Sequence, residues 1–254
     1  GVPQTVGVGE SIKYLADEKA ADPKVTGIIA NGYSNRGLSE LGLENKYHAY
    51  YATKMALWCY LLSHWDINNL KVNPDLTGKE LQRAQAILAA AKHNGPVYMR
   101  FGRSAVPVVF DADTYKFDIG KGVQLVEGSD VTLVATGITV EMALEASEIL
   151  KSRGISARVI NMATIKPIDR EILVKASRET GVIVTSEEHN IIGGLGSAVC
   201  EALCEEAPCI VERVGIRDSF GRSGSVNDLL KYYKLTAEEI VSRAVIALKR
   251  AGKR

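Results

Sequence analysis

Apolar and polar positions alternate most regularly between Asp130 and Val199. Val131 to Ala135 is a short apolar run closed by Thr136-Gly137, and Met142, Leu144, Ala146, Ile149 and Leu150 then recur at helical spacing up to Gly154. Ala157 to Ile160 is a second apolar run, ending at Asn161. Asp169 is placed to cap a helix bearing Ile172, Leu173, Val174 and Ala176. Val182 to Thr185 is a third run, followed by Glu187-Glu188-His189-Asn190 and the glycines Gly193, Gly194 and Gly196. Buried strands alternating with amphipathic helices predict a parallel sheet joined by right-handed crossovers.

The pattern elsewhere is less regular. Ser11 to Ala21 reads as a helix stopped by Asp22-Pro23, and Val25 to Ala30 as a strand. The polar loop Asn31 to Gly37 sits at that strand's carboxyl end, where open α/β sheets bind ligands; a simple connecting turn is the plainer reading. Tyr47 to Trp65 is apolar on most sides and predicts a buried or interfacial helix. Thr77 or Asp75 can cap a helix from Lys79 to Lys92 with Leu81, Ala84, Ile87 and Leu88 inward. Pro96 to Phe101 reads as a strand with Arg100 and Arg103 at its edge. An arginine fork there suits a phosphate or carboxylate, with solvated surface charge as the alternative. Pro107 to Gly120 has no period, and Gly122 to Leu125 is a small extra strand. Cys209 to Val214 predicts a last strand. Helices follow at Val226 to Tyr233 and Thr236 to Lys249, the second opening on the capping box Thr236-Ala237-Glu238-Glu239.

The fold class expected is therefore α/β, with two open, mostly parallel sheets: a first domain over residues 1–106, a linker over 107–121 and a second domain over 122–254. Two domains suit 254 residues. A net charge of +1 gives no electrostatic reason to expect nucleic acid, and no apolar run reaches membrane-spanning length. Gly1 to Gly9 has no basic start and does not read as a signal peptide, so a cytoplasmic protein is expected. Cys59, Cys200, Cys204 and Cys209 have no nearby histidine; they read as core or helix-face thiols in a reducing compartment rather than as metal ligands. Gly193, Gly194 and Gly196 read as packing a helix start onto the sheet, with a backbone anion site as the alternative. Glu187 and Glu188 read as interface or loop residues.

From His93 onward the chain resembles transketolase, in particular the C-terminal subunit of its split, two-polypeptide form. The resemblance rests on His93-Asn94-Gly95-Pro96-Val97-Tyr98-Met99-Arg100-Phe101-Gly102-Arg103, on Asp130 to Gly137, Ala157 to Met162 and Thr164 to Asp169, and on Glu187-Glu188-His189, Gly193 to Val199 and Asp218 to Gly224. It implies a pyrimidine-binding domain followed by a transketolase C-terminal domain, and a transferase of pentose phosphate metabolism that moves two-carbon ketol units between phosphorylated sugars. It also implies thiamine diphosphate held between two chains, its divalent metal being carried by an N-terminal partner subunit. No metal is expected on this chain, which lacks the Gly-Asp-Gly metal-binding word. Self-association is expected as well. Arg103 and Ser34 match the positions that hold the sugar phosphate.

The first domain departs from the family. Asn31 stands where an aspartate is expected, and Thr5 to Gly9 offers no counterpart to an arginine. The glutamate that drives the aminopyrimidine into its imino form has no match, because Lys54 falls near its position and Glu44 lacks matching neighbours. The catalytic residues therefore stay unassigned. The chain is expected either to have diverged into a non-catalytic assembly or regulatory subunit, or, the favoured reading, to lack segments of the native protein.

Overall fold

The computed structural model describes residues 78–102, 106–110 and 115–253. The chain divides into two compact units, residues 1–73 with 90–103, and residues 74–89 with 104–254. Of the first unit only residues 90–102 are described. Apart from the strand expected at Pro96 to Phe101, the first sheet expected from the sequence, the helix Tyr47 to Trp65 and the loop at Ser34 lie outside the described residues.

Helix α1 (Gly78–Lys92) starts one residue before its expected boundary and ends at the expected one. Ile87, expected to face inward, is 49% exposed. Residues 96–102, where a strand was expected, adopt neither helix nor strand. A run of that composition becomes a strand only where a neighbouring strand takes up its amides, and periodicity cannot supply that nonlocal condition. The irregular segment before the second sheet is nonetheless anchored. The Gln85 side chain donates to the Tyr115 carbonyl at 3.1 Å and accepts from the Phe117 amide at 3.2 Å, and the Phe110 and Tyr115 rings stack at 4.0 Å.

The second unit holds a five-stranded sheet in the order β1-β3-β2-β4-β5. The strands are β1 (Val123–Val126), β2 (Val131–Ala135), β3 (Ala157–Asn161), β4 (Val182–Asn190) and β5 (Ile210–Ile216). Strands β2 to β5 are parallel, and β1 closes one edge antiparallel to β3. The mostly parallel α/β fold expected from the alternation is present.

Three helices cross over between parallel strands: α2 (Thr139–Ser152), α3 (Arg170–Thr180) and α4 (Leu195–Glu206). Helices α5 (Val226–Tyr232) and α6 (Ala237–Arg250) complete the chain. The two-residue period of the strands sorts the core into two layers. Leu133, Val159 and Val184 point into one cluster with Ala143 and Leu150 of α2 and Ile240 and Leu248 of α6. Val134, Ile160 and Ile183 point into the other with Leu173 of α3 and Leu195 and Leu203 of α4. With both faces covered, β2 and β3 are buried along their whole length, which is why apolar residues dominate both, although Thr132, Arg158 and Asn161 are buried on them too.

The caps follow the sequence with one correction. Asp169 accepts from the Ile172 amide at 3.3 Å and so starts α3 as expected. Its other oxygen accepts from the Gly122 amide at 2.9 Å, tying the approach to β1 to the first turn of α3. Thr236 accepts from the Glu239 amide at 3.3 Å, but the returning half of the expected capping box is replaced. The Glu239 carboxylate instead takes the Arg243 guanidinium one turn on, at 2.7 Å, where opposite charge outcompetes a neutral amide.

Candidate functional site

The carboxyl end of β4 carries the glycine-rich stretch singled out in the sequence. The strand does not stop at Thr185 but runs to Asn190, its last pairing being Asn190 with Ile216 of β5. Glu187 therefore lies on a strand and not in a loop, and it is fully buried. One carboxylate oxygen accepts from the Leu195 amide at 2.7 Å and the other from the Gly196 amide at 2.9 Å. These are first-turn amides of α4, where unpaired donors and the helix dipole favour negative charge. The helix start does bind an anion, and that anion is the chain's own Glu187. The reading of Glu187 as an interface or loop residue is corrected accordingly.

The glycines make this fit possible. A Cβ at Gly194 would overlap the Glu187 carboxylate. One at Gly196 would come within 2.7 Å of Arg213 Cδ and 2.9 Å of Thr185 Oγ1. Gly193 turns the chain at φ +74°, a conformation costly for residues with a side chain. Beside the site, the buried hydroxyls of Thr185 and Ser186 have no hydrogen-bond partner. His189 is exposed, and its Nδ1 lies 3.0 Å from the Asn190 carbonyl.

This arrangement positions a helix; it does not hold a reacting molecule. Both Glu187 oxygens are taken and shielded from solvent, so they are not placed to pass a proton to a substrate. The α4 amides are filled, so they do not fit the diphosphate of thiamine diphosphate either. Among the described residues no group of three or more His, Cys, Asp or Glu side chains is arranged to hold a metal ion. No described helix is long and apolar enough to cross a membrane.

Arg103 and Ser34, the residues matched to sugar-phosphate binding, lie outside the described residues, as do Glu44, Lys54 and Cys59. Arg100 is described and exposed within the irregular segment 96–102. Cys200, Cys204 and Cys209 are free thiols, Cys204 exposed and the other two partly buried. Burial raises the thiol pKa of Cys200 against the opposing pull of Arg213, and raises that of Cys209 against a hydrogen bond with Ser177. The role of Glu187 was missed in the sequence although a signal was present: a carboxylate eight residues before Leu195, across a turn containing two adjacent glycines.

Comparison with known proteins places these features. Residues 120–240 match the transketolase C-terminal domain family, and residues 3–93 match the thioester domain family. A 6-deoxy-6-sulfo-D-fructose transketolase subunit from Clostridium sp. (strain MSTE9) is 41% identical over 187 residues, covering 72% of this chain and 58% of that protein. A subunit of an apulose-4-phosphate transketolase from Phocaeicola vulgatus is 43% identical over 155 residues, covering 61% and 49%. A solved split-gene transketolase, described as an inactive beta4 tetramer, is 51% identical, with a TM-score of 0.64 over 66% of this chain and 55% of that one. The chain thus spans about half the length of the curated relatives it matches.

Proposed function

On the premise that this chain carries the transketolase C-terminal domain of a split transketolase subunit, we propose that it serves in a thiamine-diphosphate-dependent transferase that moves a two-carbon ketol unit between phosphorylated sugars. The observation that carries the proposal is the family match over residues 120–240, the stretch that also forms the five-stranded sheet. In this reading an N-terminal partner subunit supplies the diphosphate site and its divalent metal. The second unit of this chain contributes architecture, since its fully buried carboxylate, Glu187, is committed to the start of α4. Bound thiamine diphosphate would supply the carbanion chemistry. Arg103 is the residue proposed to take the sugar phosphate, with Ser34 as its companion.

A second reading is favoured by one specific observation. Residues 3–93, which include Ser34 and nearly all of the expected pyrimidine-binding-like domain, match the thioester domain family. In that reading the chain is a non-catalytic assembly or regulatory subunit bearing a transketolase C-terminal domain, and Arg103 is the one proposed phosphate contact outside the thioester match.

Mixing the chain with an N-terminal transketolase subunit, thiamine diphosphate and Mg2+ separates the two. The catalytic reading expects ketol transfer that needs both polypeptides and the cofactor. Complex formation with no transfer above that of the partner alone would support the non-catalytic reading.

A further inference from the structure

Helix α3 carries along its outer side a groove of about 560 Å³ that reaches the last residue of α4. Val174 gives it one apolar, buried residue, and the rest of its lining is charged. Each acidic side chain in that lining already has a basic partner. Glu171 holds Lys121 at 2.9 Å, Glu179 holds Arg158 at 2.6 Å and Glu206 holds Arg170 at 2.8 Å. The side chains of Lys175 and Arg178 have no hydrogen-bond or ion-pair partner among the described residues. They stand three residues apart on α3 and so lie side by side on one face. The groove is left with an uncompensated positive pair.

Arg158 adds to this charge from beneath. Its strand alternates Val159 toward one core layer and Ile160 toward the other, so Arg158 faces the α3 side with Ile160. Its side chain is 7% exposed and cannot shed its charge. The carboxylate of Glu179 on the groove wall answers it, but its buried Nε donor has no partner. A buried charge is weakly screened, so its field extends into the groove. A basic residue in a last helical turn complements the helix dipole, which accounts for Arg178 alone; Lys175 stands earlier on α3.

An arginine beside a lysine suits a phosphate, with a fork for two oxygens and a point charge for the third. The groove is large enough to hold more than that group, since small-molecule sites span roughly 300–1,000 Å³. We propose that it binds a small organic phosphomonoester, the phosphate held by Lys175 and Arg178 and the organic part lying against Val174. The site uses neither Arg103 nor Ser34, and it does not rest on the proposed ketol transfer.

Isothermal titration of the full chain with ribose 5-phosphate, inorganic phosphate and ribose tests it. Ribose 5-phosphate should bind with a Kd below about 1 mM, inorganic phosphate more weakly and ribose not at all. Lys175→Gln combined with Arg178→Gln should weaken binding at least about tenfold, the loss of one charged hydrogen bond or more. Lys231→Gln combined with Lys249→Gln removes the same charge from other exposed positions and should leave binding unchanged. Unaltered circular dichroism would show that the variants fold. A chain that binds ribose 5-phosphate no better than ribose overturns the proposal. Inorganic phosphate binding as tightly as the sugar phosphate overturns the organic ligand. Equal losses in the two double variants overturn the site, because bulk charge alone would explain them. Binding lost in Arg103→Ala yet kept without Lys175 and Arg178 overturns it too, placing the phosphate at Arg103. None of these readouts involves ketol transfer, so failure of the proposed function and failure of this site are distinguishable.

Discussion

Gly194 passes so close to the buried Glu187 that a Cβ on it would overlap the carboxylate and lie 2.8 Å from the Asn190 carbonyl oxygen. The helix start, the strand end and the turn between them therefore form one unit. Gly194→Ala should force the carboxylate off the Leu195 and Gly196 amides. Glu187→Ala should remove both charged hydrogen bonds, each worth roughly 1.5–3 kcal/mol. Both variants should lower the urea midpoint of unfolding with an unchanged slope. A Glu187→Ala chain as stable as the parent would show that the helix start does not depend on this carboxylate.

Asp169 joins two elements distant in sequence through its bonds to the Gly122 and Ile172 amides. Asp169→Ala should cost about 1–2 kcal/mol for the lost helix cap and roughly 1.5–3 kcal/mol for the second charged bond. Hydrogen exchange should show where the cost falls: amides around Gly122 and in the first turn of α3 should lose protection together. Loss confined to α3 would mean the link to Gly122 carries no weight.

Thr185 buries a hydroxyl that has no hydrogen-bond partner. Valine has nearly the same shape and no polar atom to desolvate. Thr185→Val is expected to raise stability by about 1 kcal/mol, the lower end of the cost of an unsatisfied buried group. A lower melting temperature in the variant would reveal a partner for the hydroxyl.

Burial raises the thiol pKa of both Cys200 and Cys209 above the ordinary 9.0. In the unfolded chain these thiols ionise first, so rising pH stabilises the unfolded state relative to the folded one. Their contribution to stability is fully present below about pH 9 and is lost as pH climbs through the folded-state values. The denaturation midpoint should therefore fall in mildly alkaline buffer under reducing conditions, and the fall should shrink in a Cys200→Ala, Cys209→Ala chain. Exposed Cys204 should be alkylated before either of the others, as mass spectrometry of timed samples would show.

Arg103 lies outside the described residues, and its test is kinetic. In the assembled enzyme, Arg103→Ala should raise KM for phosphorylated sugars, at a cost of roughly 1.5–3 kcal/mol for a charged hydrogen bond, and spare a non-phosphorylated donor such as hydroxypyruvate. Equal losses with both substrates at unchanged thermal stability would remove Arg103 from phosphate binding.

The second unit was legible in the sequence because its information is local. A doubly covered parallel sheet demands strands dominated by apolar residues, such as Val131 to Ala135, and crossover helices demand one apolar stripe each, so period and punctuation locate them without reference to distant residues. The small strand before them and the Asp169 cap were readable for the same reason. Tertiary structure decided whatever depends on a partner far along the chain. The edge position and antiparallel sense of β1 came from β3, and the exposure of Ile87 could not be read from its helical spacing. Glu239 was drawn from the capping box by Arg243. Glu187 is the sharpest case: its sequence neighbours suggest a polar loop, and only the return of the chain at Leu195 and Gly196 supplies the two amides that make a fully buried carboxylate stable.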